Sequence, residues 1–178
     1  MMFTFLRAEG RSTGRSLVEE DRIAMACELI EQARDRSVEL VLPVDCVASR
    51  AADGSAPSRT CRLEDLGAEE MGVDIGPESV KLFAARIQDA RTVLWNGPMG
   101  IFEVPAFANG TRGLAQALAE AGGRGAVTVV GGGDSAAALQ QAGLADRVTH
   151  LSTGGGASLE FLEGRVLPGV AALDDRER

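Results

Sequence analysis

The chain has 178 residues, 45% of them apolar and 25% charged, which suits one folded domain, two at most, and argues against a disordered chain. Lys and Arg number 18 against 26 Asp and Glu, a formal net charge of −8, so the chain is a poor partner for nucleic acid or an anionic membrane. Lys81 is the single lysine, which leaves almost none for a glycine-rich loop to use.

No apolar run approaches the roughly 20 residues of a membrane-spanning helix. The first six residues, Met1 to Leu6, are apolar, and their first charge, Arg7, comes after the run. A secretory signal has the opposite order, so none is expected, and the chain begins abruptly in a buried-type segment. Three cysteines, Cys27, Cys46 and Cys61, are odd in number and show no CxxC spacing. They read as free thiols in a reducing, cytoplasmic setting. His150 is the only histidine, which excludes a His-rich zinc site and any Ser-His-Asp triad built without it.

In chain order, Val18 to Arg36 reads as a helix. Ile23, Ala26, Cys27, Ile30 and Ala33 recur at three and four, and Glu19, Glu20 and Asp21 fall in the first turn, where the helix dipole favours acids. Val38 to Leu42 is a short apolar run before Pro43 and predicts a buried strand. Residues 49–72, rich in Ala, Gly, Ser and Asp with Pro57, read as a surface excursion. Pro77 to Ala90 predicts a helix with proline at its first position and Val80, Phe83, Ala84 and Ile87 on one face.

A rhythm then sets in. Thr92 to Trp95 predicts a strand, followed by Asn96-Gly97-Pro98 and a helix near Ala108 to Ala121. Ala126 to Val130 predicts a strand, followed by Gly131-Gly132-Gly133-Asp134-Ser135 and a helix to about Ala142. Val148 to Leu151 predicts a strand, followed by Ser152-Thr153-Gly154-Gly155-Gly156 and a helix to Glu163. Strand, glycine turn and helix in alternation imply an α/β fold, a parallel sheet with helices on both faces.

In open α/β sheets, ligands bind beyond the carboxyl ends of the strands. The three turns are therefore the candidate site. Glycines let backbone approach a ligand closely, and a helix N-terminus offers unpaired N–H groups and a positive dipole end suited to phosphate. Each triplet also has a plain reading as a tight turn. Asp134 reads either as an N-cap or as a carboxylate on nucleotide-bound Mg²⁺, and Ser135 is an alternative cap. Glu103 reads as an exposed surface acid or as an acceptor for ribose hydroxyls. Trp95 reads as core, and His150, in mid-strand, as a satisfied core histidine. There is no GxxxxGK[ST] and no GxGxxG opening a helix, so neither a P-loop nor a dinucleotide fingerprint is present.

The runs WNGPMGIFE (Trp95 to Glu103), GGGDS (Gly131 to Ser135) and STGGGASLEFLEGRVLPGV (Ser152 to Val170) together resemble the C-terminal half of phosphoglycerate kinases. MMFTFL at the start, GRSLVEED (Gly14 to Asp21), LPVD (Leu42 to Asp45) and DIGPES (Asp74 to Ser79) follow the same family's order, so the resemblance covers nearly the whole chain. It implies a three-layer, Rossmann-like nucleotide-binding domain over residues 1–178. That domain would be part of a kinase that moves a phosphoryl group between 1,3-bisphosphoglycerate and ADP, giving 3-phosphoglycerate and ATP with Mg²⁺.

The resemblance implies that Leu17, Gly72, Val73 and Ile101 line the adenine, that Asn96, Gly97 and Pro98 face the nucleotide, and that Glu103 meets the ribose. Gly131, Gly132, Gly133, Asp134 and Ser135 would follow the phosphates, with Asp134 at the metal. Gly154, Gly155 and Gly156 would stabilise the transferred group, Gly133 and Gly156 acting at the helix N-termini. The family often has Thr where Ser135 stands, which keeps a hydroxyl. Family members are more than twice as long. An N-terminal domain with a basic patch holds their acid substrate, and a glycine- and lysine-bearing turn precedes the point matched by Met1. The chain is thus expected to bind ADP or ATP, to need that other domain for the acid substrate, and to be inactive alone. The alternatives are a stand-alone Mg-nucleotide-binding module or a non-functional remnant.

Overall fold

The computed structural model describes residues 1–173. They divide into two units, one of Met1–Asp89 and Met99–Leu114, the other of Ala90–Pro98 and the chain from Ala115 onward.

The first unit opens with helix α1 (Met2–Ala8), which buries Phe3 and Leu6 and packs on α2 (Ile23–Asp35). The predicted helix starts late. Glu20–Arg22 form a single 3-10 turn ahead of it, and the Glu19 amide donates to Thr4 Oγ1 at 3.1 Å, tying the entry to α1. Within α2 the expected stripe holds: Ala26 is buried and Ile23, Cys27, Ile30 and Ala33 are half-buried. An open cavity between α1 and α2, lined by Met1, Phe5, Met25 and Leu29 among others, contains none of the predicted site residues.

Val38 to Leu42 is not a strand. The run begins inside the termination of α2: Ser37 adopts φ 54° and the Val38 amide bonds the Ala33 carbonyl at 2.8 Å, the six-to-one bond that closes a helix end. Val38 is 60% exposed and Leu40 43%, and no ladder partner reaches them among the described residues. Apolarity is a local property, whereas a strand needs a neighbour.

The sheet of this unit is antiparallel, order β2-β1-β3, from β1 (Asp45–Ser49), β2 (Ser58–Arg62) and β3 (Met71–Ile75). The central β1 is covered on both faces, while β2 buries only Cys61. The excursion over 49–72 thus carries an edge strand, and Leu63 and Leu66 beyond it enter the core with Phe3, Leu6, Cys46, Ala48 and Cys61. Cys46 and Cys61 are paired across the ladder with sulfurs 3.9 Å apart. Burial first, then the neighbouring thiol, pushes Cys46 up to about 12; both cysteines are free of a disulfide, as expected. Helix α3 (Pro77–Asp89) is capped from a distance. Asp45, at the start of β1, accepts the Glu78 amide at 3.0 Å and the Ser79 amide at 2.8 Å.

The second unit is the predicted parallel sheet. Its strands are β4 (Thr92–Asn96), β5 (Val127–Gly131) and β6 (His150–Ser152), in that order. Helix α4 (Asn109–Gly123) runs through the boundary between the units. In the second unit it buries Ala115, Leu118, Ala119 and Ala121. Small residues there let helix and strands approach closely, with Val130 and Leu139 fully buried. Helices α5 (Gly133–Gln141) and α6 (Gly155–Leu162) each follow a glycine turn, and a short α7 (Pro168–Ala171) closes the described chain. Thr128 and Thr149 bond each other's amides through their hydroxyls at 3.0 Å, fixing the approach to β6. His150 is exposed, not a core histidine: β6 is an edge strand, covered by a ladder on one side alone. Trp95 is buried at 6% exposure.

Candidate functional site

In the second unit all three parallel strands end in glycine turns, and the turns are bonded to one another. Asn96 closes β4 and donates from Nδ2 to the Gly155 carbonyl at 3.3 Å. The Gly97 amide, at φ 99°, donates to Ser135 Oγ at 2.7 Å. The Gly132 amide donates to the Ser152 carbonyl at 3.0 Å. Three loops from separate stretches of sequence therefore form one rigid surface.

Glycine is required at two of these positions for stated reasons. Gly132 has φ 99°, where an L side chain is strained. A Cβ on Gly155 would lie 2.7 Å from Gly132 Cα and 2.9 Å from its nitrogen, so the two triplets touch backbone to backbone. Around Gly97, Gly133 and Gly156, in contrast, there is open space. The surface is tight where the turns meet and open around Gly97, Gly133 and Gly156.

Two helix N-termini arise here, of α5 and of α6. Their caps are Gly132 and Gly154, and neither has a side-chain cap bond. The first amides of each helix thus keep donor capacity at a positive dipole end, met at α5 by the acidic Asp134 of its own first turn and at α6 by no acid of its first turn. Asp134 is not the cap. It is the second residue of α5, exposed, and joins an otherwise uncapped first turn. Ser135 is fully buried and does not cap either, its hydroxyl being taken by Gly97. Gly133 and Gly156 are exposed; Gly155 and Gly131 are buried. Among the described residues no cluster of three or more His, Cys, Asp or Glu could hold a metal ion by itself. Mg²⁺ carried on a nucleotide needs only one or two carboxylates, the phosphates providing other ligands. A single exposed Asp134 beside free amides fits that role. Lys81 lies on α3 in the first unit, paired with Glu78 at 2.7 Å.

The predicted adenine-side residues are in the first unit, collected around β3. The Gly72 amide donates to Ser16 Oγ at 3.0 Å, which brings the neighbouring, 85% exposed Leu17 to the strand. The Ile101 amide donates to the Val73 carbonyl at 2.9 Å. Gly72 is glycine because a Cβ would overlap the Phe3 ring. Glu103 is exposed on the loop after Ile101, a loop tightened by the Val104 amide bonding the Ile101 carbonyl at 3.0 Å.

Sequence reasoning missed Asp74 and Ser152. Asp74, on β3, is 3% exposed and accepts the Ile75 amide at 2.9 Å and the Gly110 amide at 2.8 Å. Burial is the larger influence and raises its carboxyl to about 6, against the pull of the Gly110, Ile75 and Asn109 amides. The only sequence signal was its place at the head of the DIGPES run. Ser152 lies in the quoted motif, yet its carbonyl and hydroxyl roles depend on the fold.

Comparison with known proteins gives a single answer. The family model described as "Phosphoglycerate kinase" matches residues 1–165. The phosphoglycerate kinase of Chlorobaculum tepidum is 54% identical over 175 residues, and that of Dictyoglomus turgidum 53% over 176. These alignments cover 98% and 99% of this chain but 44% of each relative. Among solved structures, phosphoglycerate kinase from Coxiella burnetii aligns with a TM-score of 0.89 at 40% identity, over 96% of this chain and 43% of that one. The enzyme from Pyrococcus horikoshii aligns with a TM-score of 0.81 at 31% identity, over 97% of this chain and 42% of that one.

Proposed function

The chain belongs to the phosphoglycerate kinase family, and from that membership we propose that it is the part of such a kinase that binds Mg-ADP and Mg-ATP. The chain spans less than half the length of the curated relatives it matches. The observation that carries the reading is the pair of uncapped helix N-termini on glycine turns that touch at Gly132 and Gly155.

Phosphoryl transfer asks little covalent work of a protein; positioning and stabilisation of the equatorial oxygens supply most of it. In this proposal the amides of Gly133 and Asp134 at α5, and of Gly155 and Gly156 at α6, donate to phosphate oxygens. Gly131, Gly154, Gly97 and Pro98 leave room for them, and Asn96 and Ser135 lock the turns. Gly133 and Gly156 stabilise the transferred group. Asp134 holds Mg²⁺, which supplies positive charge to the phosphates when bound. In the first unit Leu17, Gly72, Val73 and Ile101 present a nucleoside surface and Glu103 an acceptor for ribose hydroxyls.

The substrates proposed for the kinase are ADP or ATP with 1,3-bisphosphoglycerate or 3-phosphoglycerate, in glycolysis in the cytoplasm. The resemblance assigns the acid substrate to a basic patch in a domain outside this chain. Titration calorimetry with Mg-ADP is the direct test: the chain is expected to bind, and absence of binding at millimolar nucleotide defeats the reading. Asp134→Ala is expected to remove the Mg²⁺ dependence of binding. Unchanged dependence in that variant would take Asp134 out of the metal site.

A further inference from the structure

Asp74 is the most deeply buried acid that the proposed function does not use, and its surroundings are built around it. Two glycines, Gly100 and Gly110, lie so close that a Cβ on either would overlap its side chain. They come from different places: Gly100 from the loop that carries Ile101 and Glu103, Gly110 from the first turn of α4. The amide of Gly110 donates to Oδ2, and that of Ile75 to Oδ1, so each oxygen is engaged. Helix α4 has no acid in its first turn; Asp74 provides that charge from a neighbouring strand, where the dipole favours it. The loop is held on both sides of Gly100. The Met99 amide donates to Thr111 Oγ1 at 3.0 Å, and the Ile101 amide to the Val73 carbonyl next to Asp74. A buried carboxylate, two glycines shaped to it and a helix start therefore form one clamp around the 99–104 segment.

We propose that Asp74 is the positioning residue of the nucleoside surface: it fixes the 99–104 loop to β3 and to the start of α4, and so sets where Ile101 and Glu103 stand. This rests on the nucleoside role proposed above for those two residues. Asp74 acts through them and touches no ligand. Asparagine at this position keeps the shape but can accept fewer amide bonds, because its nitrogen opposes an N–H donor with another donor. Losing a bond of that strength costs roughly a factor of ten or more.

The test uses the whole chain and two part-ligands, adenosine and pyrophosphate. Asp74→Asn is expected to weaken adenosine about tenfold while pyrophosphate, which needs only the turns of the second unit, binds as in wild type. Amide hydrogen exchange is expected to quicken over 99–104 and 109–111 and to stay unchanged in β5 and α5. Gly100→Ala, which pushes a methyl against the same carboxylate, should repeat the pattern in a chain that keeps Asp74. Equal loss of both ligands with uniformly faster exchange would mark a general structural role and overturn the proposal. So would adenosine binding within twofold of wild type in both variants. A wild-type chain that binds pyrophosphate and not adenosine would overturn the nucleoside reading itself, whatever the variants do.

Discussion

Asp74 carries a consequence for stability that can be separated from its positioning role. Its folded carboxyl titrates near 6, above an ordinary value of 3.8, because burial disfavours the charged form. The folded state therefore binds this proton more tightly than the unfolded chain. The stabilisation is fully present below about pH 4 and is lost as pH rises through 6. A shift of this size corresponds to about 3 kcal/mol. Denaturant unfolding of wild type and Asp74→Asn should show the wild type losing about that much relative to the variant between about pH 3 and 7, roughly two thirds of it between about pH 4 and 6. A difference that stays flat across the window would mean the carboxyl is not shifted. Asp74 was illegible beforehand because its partner Gly110 is 36 positions away and glycines carry no chemical label. Asp134 stood out in the sequence because its setting is local: an acid directly after three glycines at a helix start. Of its two readings, the N-cap does not hold, since Gly132 occupies the cap position one residue before the helix.

Among elements, the strands of the parallel sheet were readable, as were helices α2 and α3, and the strands of the antiparallel sheet were not. Strand, glycine turn and helix recur in the second unit with boundaries within about two residues of those predicted, because parallel strands are apolar runs and glycines mark their ends. In the first unit, β1 has the sequence DCVAS and β2 SRTCR, neither an unbroken apolar run that composition would announce. Residues 38–42 show the reverse error: apolar enough for a strand, but begun within a helix cap. The glycine turns yield a prediction at this scale. Gly155→Ala would drive a methyl into the backbone of Gly132, which has no flexible side chain to move aside. The variant should lose about 2 kcal/mol in urea unfolding, within the usual range for overpacking. It should also bind pyrophosphate about tenfold less tightly in calorimetry. Gly156→Ala, where a Cβ meets nothing within 4 Å, should keep its stability. A Gly155→Ala chain as stable as wild type would show that the two turns do not touch.

For the molecule as a whole, the coverage figures set the functional expectation. The chain matches relatives across 98% of itself but 44% of them, and no lysine stands at the glycine turns. We expect no turnover from the isolated chain in a coupled assay with ADP and 1,3-bisphosphoglycerate, even where calorimetry records Mg-ADP binding. Measurable turnover would refute the division of labour proposed here. The sequence also leaves the molecule with one tryptophan and no tyrosine. That tryptophan, Trp95, is buried in β4 directly before Asn96, and its indole Nε1 is without a hydrogen-bond partner among the described residues. Emission excited beyond the phenylalanine absorption band therefore originates at one residue, Trp95 near the end of β4. The chain carries its own optical probe beside the glycine turns, free of background from any other indole or phenol.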